Sequence, residues 1–400
     1  MKILVFYPYI PYPIDRGTYQ RTYHLLRGLA REFEVDFLAL TEGGERLEQQ
    51  PHFEEFCGRV KFIPFAHPPW PKLFPDRLFN KLPTSVRHWQ NAATQREVDA
   101  FLQGGRYAFA HVCDIVLLPY LLERHAVPIS VDRSRVDYQF QLMQLAARRP
   151  PLRDKLLDLE GILKVKWFER RVARAVATEV VCGLDDVSFI RERISKQVPV
   201  QVVGNGVDLD FFRPDAVADA RAERPTVLFC GAMDYVPNTD ALKWFFAEIF
   251  AGLKQEVPEL ETFIVGRSPT DEVKAYASRP DVTVTGGVPD VRPYYRRSWL
   301  QIVPLRIGGG TRLKIVESMA IGTPVVSTTI GAQGLGIRHD HDILLADTPE
   351  SFIRETVRGL RDAPLRDRLE VAGMKTANER FSWKHFGAEL CRAYRGVFGG

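Results

Sequence analysis

Short β-branched runs alternate with stretches whose apolar residues recur every three or four positions, and the alternation runs through most of the chain. Segments 2–9, 35–40, 60–65, 109–113, 128–132, 178–182 and 201–203 predict buried strands. Segment 18–31 predicts a helix with Tyr19, Tyr23, Leu26 and Ala30 on one face. The pattern breaks at Asn205-Gly206-Val207-Asp208, then Phe211-Phe212-Arg213-Pro214 and a polar stretch to Arg224, which reads as a hinge or linker. It restarts with strands at 226–230, 261–265, 282–285, 300–304, 324–329 and 343–345, helices such as 239–250 fitting between them. Segment 383–397 predicts a last amphipathic helix. Such alternation predicts an α/β chain of two doubly wound, Rossmann-like parallel-sheet domains with an interdomain cleft at the strands' carboxyl ends. The expected boundaries are 1–204 and 205–380, with a closing helix 381–400 packing back toward the N-terminal domain.

Within this frame the stretch from Pro304 to Leu335 carries the densest chemistry. The apolar run Leu300-Gln301-Ile302-Val303-Pro304 leads into Gly308-Gly309-Gly310 and a helix expected over 311–321. Glycines let backbone N–H groups approach phosphate, and a helix start is electropositive, so the combination suits an anion. On that helix Leu313, Ile315, Val316, Met319 and Ala320 share one arc, while Lys314, Glu317 and Ser318 share the other. Arg312 falls in the apolar arc, where a guanidinium needs an anionic partner or a route to solvent. A core helix with a solvated cationic end is the plainer reading of the same spacing.

Composition removes several classes of function. A 400-residue chain with 45% apolar residues can fill two cores, and a net charge of +4 gives no electrostatic support for a nucleic-acid partner. The five cysteines are scattered without a Cys-x-x-Cys pair, which fits a reducing compartment and supplies no zinc or disulfide frame. The opening apolar run soon meets Pro8, Pro11 and Pro13, unlike a signal peptide. No stretch approaches the roughly 18 to 20 apolar residues of a membrane helix. The chain is therefore expected to be cytoplasmic, with peripheral contact at the membrane's inner face through 65–89. There Trp70, Phe74, Phe79 and Trp89 interleave with Lys72, Arg77, Lys81 and Arg87, although a packed loop also accounts for them. The basic stretch 148–174 reads as a long helix with a solvated face. Asp208-Leu209-Asp210 reads as turn and cap chemistry, and His339-Asp340-His341-Asp342 as a polar turn before a strand. Neither a metal nor another cofactor is expected.

Taken together, these pieces resemble the family-4 glycosyltransferases, which have the GT-B fold, and most closely the exopolysaccharide-associated sugar transferases of bacteria. The resemblance rests on the Pro-rich loop with Asp15-Arg16-Gly17, on Asn205-Gly206-Val207-Asp208 with Phe212 and Pro214, and on Phe229-Cys230-Gly231 with Pro237-Asn238. It continues through Val265-Gly266, Gly286-Gly287-Val288-Pro289-Asp290-Val291, the glycine loop and Arg380-Phe381-Ser382-Trp383. It implies retaining, metal-independent transfer of a sugar from a UDP- or GDP-sugar to a saccharide or lipid-linked acceptor. The implied donor site lies on the second domain. Gly231 and Asn238 line it, Gly309, Gly310 and Thr311 approach the diphosphate or sugar, and Arg312 and Lys314 neutralise the departing diphosphate. Glu317 holds the ribose, and the loop with Gly286, Val288 and Val291 borders the base. From the first domain Gly17 faces the donor phosphates and His111 reaches toward the sugar, unless it is a packed strand histidine.

Three positions depart from the family's pattern. Gly309 stands where the first carboxylate of Glu-x7-Glu is usual, leaving Glu317 alone. His111-Val112-Cys113 replaces His-x-His. The loop Ala232-Met233-Asp234-Tyr235-Val236-Pro237-Asn238 lacks the usual basic residues, which shifts the cationic role to Arg312 and Lys314. A nucleotide-sugar epimerase or a non-catalytic GT-B-like binding subunit could use the same scaffold.

Overall fold

The computed structural model describes all residues except 15–16, 69–79, 123–124, 148–150, 218–220, 308–312 and 400, and the side chains of 17, 18, 146, 147, 152 and 153. The chain divides into two compact units, one of Met1–Gly204 with Trp383–Gly400 and one of Asn205–Ser382.

The first unit runs β1 (Lys2–Tyr7), α1 (Gly17–Ala30), β2 (Glu34–Glu42), β3 (Val60–Phe65), α2 (Ala92–Gln103) and β4 (Ala110–Cys113). It continues with β5 (Ile129–Arg133), α3 (Asp137–Ala147), α4 (Leu152–Ala175), β6 (Thr178–Val181) and β7 (Val200–Val202). Its sheet has the order β3-β2-β1-β4-β5-β6-β7, parallel at each pairing. Because both faces are covered, the strands read as near-continuous apolar runs, and Ile3 to Tyr7 are wholly buried. The buried arginines at this sheet are paired. Arg21 of α1 meets Asp132 at 2.6 Å and donates to the carbonyls of Val203 (2.9 Å) and Gly204 (3.1 Å), fixing the chain just after β7. Arg133 lies between Glu169 and Glu179.

In the second unit β8 (Thr226–Cys230), α5 (Val236–Trp244), β9 (Glu261–Val265), β10 (Val282–Gly286) and α6 (Arg292–Arg297) come first. They are followed by β11 (Leu300–Val303), α7 (Leu313–Ala320), β12 (Val325–Ser327), β13 (Leu344–Leu345), α8 (Pro349–Arg361) and α9 (Ala363–Arg380). The sheet order is β10-β9-β8-β11-β12-β13, again parallel. In both sheets the strand order reverses beside the unit's first strand, and α/β sheets of this kind bind ligands at the carboxyl ends flanking such a point. α7 buries Ile315, Val316, Met319 and Ala320 as its periodicity predicts. Ser318 departs from its expected polar arc. It is buried, and its Oγ donates to Thr323 O at 2.8 Å, closing the turn into β12.

The chain returns to the first unit as α10 (Trp383–Phe398). α10 lies against α1 at a glycine pair: a Cβ on Gly28 would sit 2.9 Å from the Gly387 Cα. Trp383 stacks on His24 with ring centroids 5.3 Å apart. Much of the segment 65–89 expected at a membrane lies outside the described residues. Phe65 and Trp89, at its ends, stack on each other at 5.5 Å and belong to the first unit's packing.

Candidate functional site

At the carboxyl edge of the second unit's sheet, three loops meet. Gly231 follows β8 with φ 156° and Gly266 follows β9 with φ 155°. A Cβ on Gly266 would lie 1.7 Å from the Gly231 carbonyl oxygen, so only glycine allows the two loops to touch. The Gly231 N–H donates to Val265 O (3.0 Å), the Gly266 N–H to Gly286 O (3.0 Å) and the Met233 N–H to Arg267 O (2.9 Å). These bonds stitch the ends of β8, β9 and β10 into one rim.

Lys314, in the first turn of α7, reaches this rim. Its Nζ donates to Asn238 Oδ1 at 2.7 Å and stands 4.5 Å from the Phe229 ring centroid. Asn238 is oriented by its own Nδ2 bond to Ala232 O, 2.8 Å. A Cβ on Gly231 would lie 2.8 Å from Asn238 Nδ2 and 2.9 Å from Lys314 Nζ, so this glycine keeps the space beneath the ammonium clear. One turn along α7, Glu317 Oε2 accepts from the buried Tyr295 hydroxyl at 3.3 Å. Burial pushes the Cys230 thiol up to about 12, with Glu317 adding to the rise and Lys314 opposing it. Burial likewise raises the Tyr295 phenol, with Cys230 and Glu317 adding. Both groups are therefore neutral near pH 7, and Tyr295 is a donor to the carboxylate.

The loop after β10 is held separately. Gly286 has φ 71°. Val288 and Val291 are half-buried, and Val291 precedes α6 and accepts the Tyr294 N–H at 3.0 Å. Arg292 grips Asp290 in a bidentate pair of 2.9 and 2.8 Å and donates to Phe211 O at 3.1 Å, its guanidinium 3.8 Å from the Phe211 ring. That pair holds the Asp290 carboxyl below its ordinary range. On the other side, Ser327 Oγ donates to Val303 O (3.2 Å) and Thr328 Oγ1 to Leu305 O, which fixes the chain where it enters the glycine loop. Gly309, Gly310, Thr311 and Arg312 lie outside the described residues.

The first-unit candidates do not form a comparable group. Gly17 is the first residue of α1. His111 is wholly buried in β4. Its Nδ1 lies 2.5 Å from the Tyr394 hydroxyl, which also meets Ser130 Oγ at 2.8 Å, and its Nε2 has no hydrogen-bond partner among the described residues. Burial lowers the imidazole to about 4, with Asp132 opposing and Arg21 adding to the fall, so it is neutral at physiological pH. The structure thus gives His111 the packed-strand environment, not an open one. Cys113 is buried too, its Sγ 3.9 Å from the Tyr9 hydroxyl.

The two motifs read as turns have turn chemistry. Asp208 Oδ1 accepts the N–H groups of Asp210 and Phe211, both at 3.1 Å. His339 Nδ1 accepts the Leu345 N–H at 2.9 Å, and Asp342 accepts from Arg338 N–H and Thr376 Oγ1 at 2.8 and 2.7 Å. Three residues near the site escaped sequence reasoning. Arg267 follows β9, not β8, yet its guanidinium stands 3.8 Å from Asp234 in the loop that lacks basic residues of its own. Arg306 pairs with Asp240 at 2.7 Å immediately before the glycine loop. Tyr295 supports Glu317 from α6, a segment with no chemistry assigned from the sequence. For Arg267 the available signal was its place directly after Gly266.

Two Rossmann-like parallel-sheet units of seven and six strands, with a glycine-lined rim and a fixed ammonium on the second, define an α/β protein of the GT-B class. Residues 224–362, most of the second unit, match the family model described as Glycosyl transferases group 1. A D-inositol 3-phosphate glycosyltransferase of Nocardioides sp. is 28% identical over 225 residues, covering 49% of this chain and 48% of the relative. The lipopolysaccharide core biosynthesis mannosyltransferase LpcC of Rhizobium leguminosarum bv. viciae is 29% identical over 181 residues, covering 42% of this chain and 48% of the relative. The matches thus span about half the length of these curated relatives. Sucrose-phosphate synthase from Thermosynechococcus elongatus has a similar fold, with a TM-score of 0.72 at 20% identity and full coverage of both chains.

Proposed function

We propose that this chain is a retaining, metal-independent glycosyltransferase acting on a UDP- or GDP-sugar at the cytoplasmic membrane face. Its acceptor is a saccharide or lipid-linked saccharide in exopolysaccharide or related glycan biosynthesis. The observation that carries the reading is Lys314, held by Asn238 above Gly231 at a strand end, with Glu317 one turn away. A cation fixed before reaction stabilises charge that grows on a leaving diphosphate, and does so without reorganisation. Arg312 and the N–H groups of Gly309, Gly310 and Thr311 share that load. Glu317, its second oxygen bonded by Tyr295, accepts from the ribose diol, and the loop with Gly286, Val288 and Val291 borders the base. The C–O bond from the anomeric carbon to the β-phosphate breaks as the acceptor oxygen bonds the same face. The acceptor's proton passes to the departing phosphate oxygen. The first unit, with Gly17, offers the acceptor. His111, buried against Tyr394, supports the end of β4 in this scheme and does not touch the sugar. Two relatives named for glycosyl transfer to an inositol phosphate and in lipopolysaccharide core assembly favour transfer over other uses of the fold.

The test is a thermal-shift screen against UDP, GDP and their common sugars, followed by release of nucleoside diphosphate with candidate acceptors. The reading predicts a raised melting temperature with one nucleotide family and acceptor-dependent release. Interconversion of donor sugars without acceptor would contradict it.

A further inference from the structure

The outward face of α4 is unlike the solvated basic helix its composition suggests. Leu156, Leu159, Leu163 and Trp167 are 60%, 38%, 64% and 68% exposed. At 100° per residue they fall on one arc about 80° wide. The opposite arc, Ile162, Val165, Phe168 and Val172, is buried in the first unit's core. The helix therefore has two apolar faces, and the described residues cover one of them. The next two turns of the outward arc carry exposed Arg170 and Arg174, with exposed Lys155 and Arg171 toward its edges.

The acids of α4 lie off the outward arc. Of its four acids, Glu160 is paired with Lys164 at 2.6 Å, Glu169 is buried against Arg133, Asp158 lies on the other side, lining a 240 Å³ cavity with Gln141 and Gln144, and exposed Asp154 falls on the arc opposite the leucines. A second copy meeting this face with its own would bring the same arginines and leucines to the contact, and Glu160, the acid bordering the arc, is already engaged by Lys164. An apolar stripe of about 16 Å ending in arginines instead complements a surface that is apolar within and anionic outside. Trp167, midway between the leucines and Arg170, sits where an indole is favoured at the headgroup boundary.

We infer that this face of α4 is a docking face for an anionic lipid surface, with the leucines and Trp167 entering the acyl boundary and Arg170 and Arg174 meeting lipid phosphates. The inference builds on the proposed function, since it presents the first unit to a lipid-linked acceptor. It moves the expected membrane contact from 65–89 to α4.

The experiment sediments the full chain with phosphatidylcholine vesicles, with or without about 30% phosphatidylglycerol. Wild type is expected to bind the anionic vesicles, weakly at high salt, and to leave neutral ones in solution. L163E/W167E should lower the bound fraction at least about tenfold, and R170E/R174E should abolish the preference for anionic lipid. Circular dichroism and the nucleotide-induced melting shift should be unchanged in both, which shows that they fold. Equal vesicle binding by L163E/W167E would overturn the inference. So would wild-type dimers that L163E/W167E dissolves, because the face would then be a self-interface. A normal nucleotide shift without vesicle binding sinks this inference alone, whereas vesicle binding without any nucleotide shift sinks the proposed function alone.

Discussion

Lys314 and His111 are both candidate residues in the sequence, and their surroundings separate them. Lys314 is half-buried, and its Nζ donates to Asn238 and faces the Phe229 ring at a strand end. Lys314→Ala should lower kcat/KM by about 100-fold or more, the scale of losing one preorganised charge stabiliser. Its denaturant midpoint should stay close to wild type, because the core face of α7 is untouched. Near-normal turnover would remove Lys314 from the mechanism. His111 makes a different prediction. Its folded pKa of about 4 lies below the ordinary 6.5, so the unfolded chain takes up the proton first. Stability contributed by the neutral ring is complete above pH 6.5 and is lost as pH falls toward 4, by up to about 3 kcal/mol. His111→Gln should flatten that part of the stability profile in urea melts. An unchanged slope would mean that the ring takes up its proton as readily in the folded chain as in the unfolded one.

Whole elements depend on glycines that bring backbones together. With its would-be Cβ 1.7 Å from Gly231 O, Gly266→Ala has to separate the β8 and β9 loops. It should cost at least about 3 kcal/mol by denaturant unfolding and weaken nucleotide binding with it. Gly387→Val should lift α10 off Gly28 and destabilise the first unit by a similar amount, about 3 kcal/mol, while the second unit's affinity for nucleotide is retained. Strands were legible because buried parallel strands are apolar and β-branched, as in β3, β8 and β9, whose observed limits coincide with the sequence pattern. Helix faces were less legible. Ser318 reads as exposed from its polarity, whereas its hydroxyl satisfies a carbonyl inside the turn. The outward leucines of α4 were hidden by its basic composition, which reads as a solvated face, whereas Leu156, Leu163 and Trp167 are exposed on it.

At the scale of the molecule, strand–helix alternation made the two-sheet architecture readable, since parallel strands need crossover helices. The donor side of the site was partly readable for a related reason: Gly231, Asn238, Lys314 and Glu317 belong to short motifs whose local geometry follows from their own spacing. Contributions across the sequence were hidden. Arg267 enters through the neighbouring loop and Tyr295 through a packing helix, and His111 is defined by Tyr394, 283 positions away. Calorimetric titration of UDP and GDP into wild type and Lys314→Ala tests the central claim most directly. One nucleotide should bind wild type, and at least about tenfold more weakly the variant, a loss near 1.4 kcal/mol. Binding of neither nucleotide, or equal binding to both proteins, would contradict a donor-diphosphate site at Lys314.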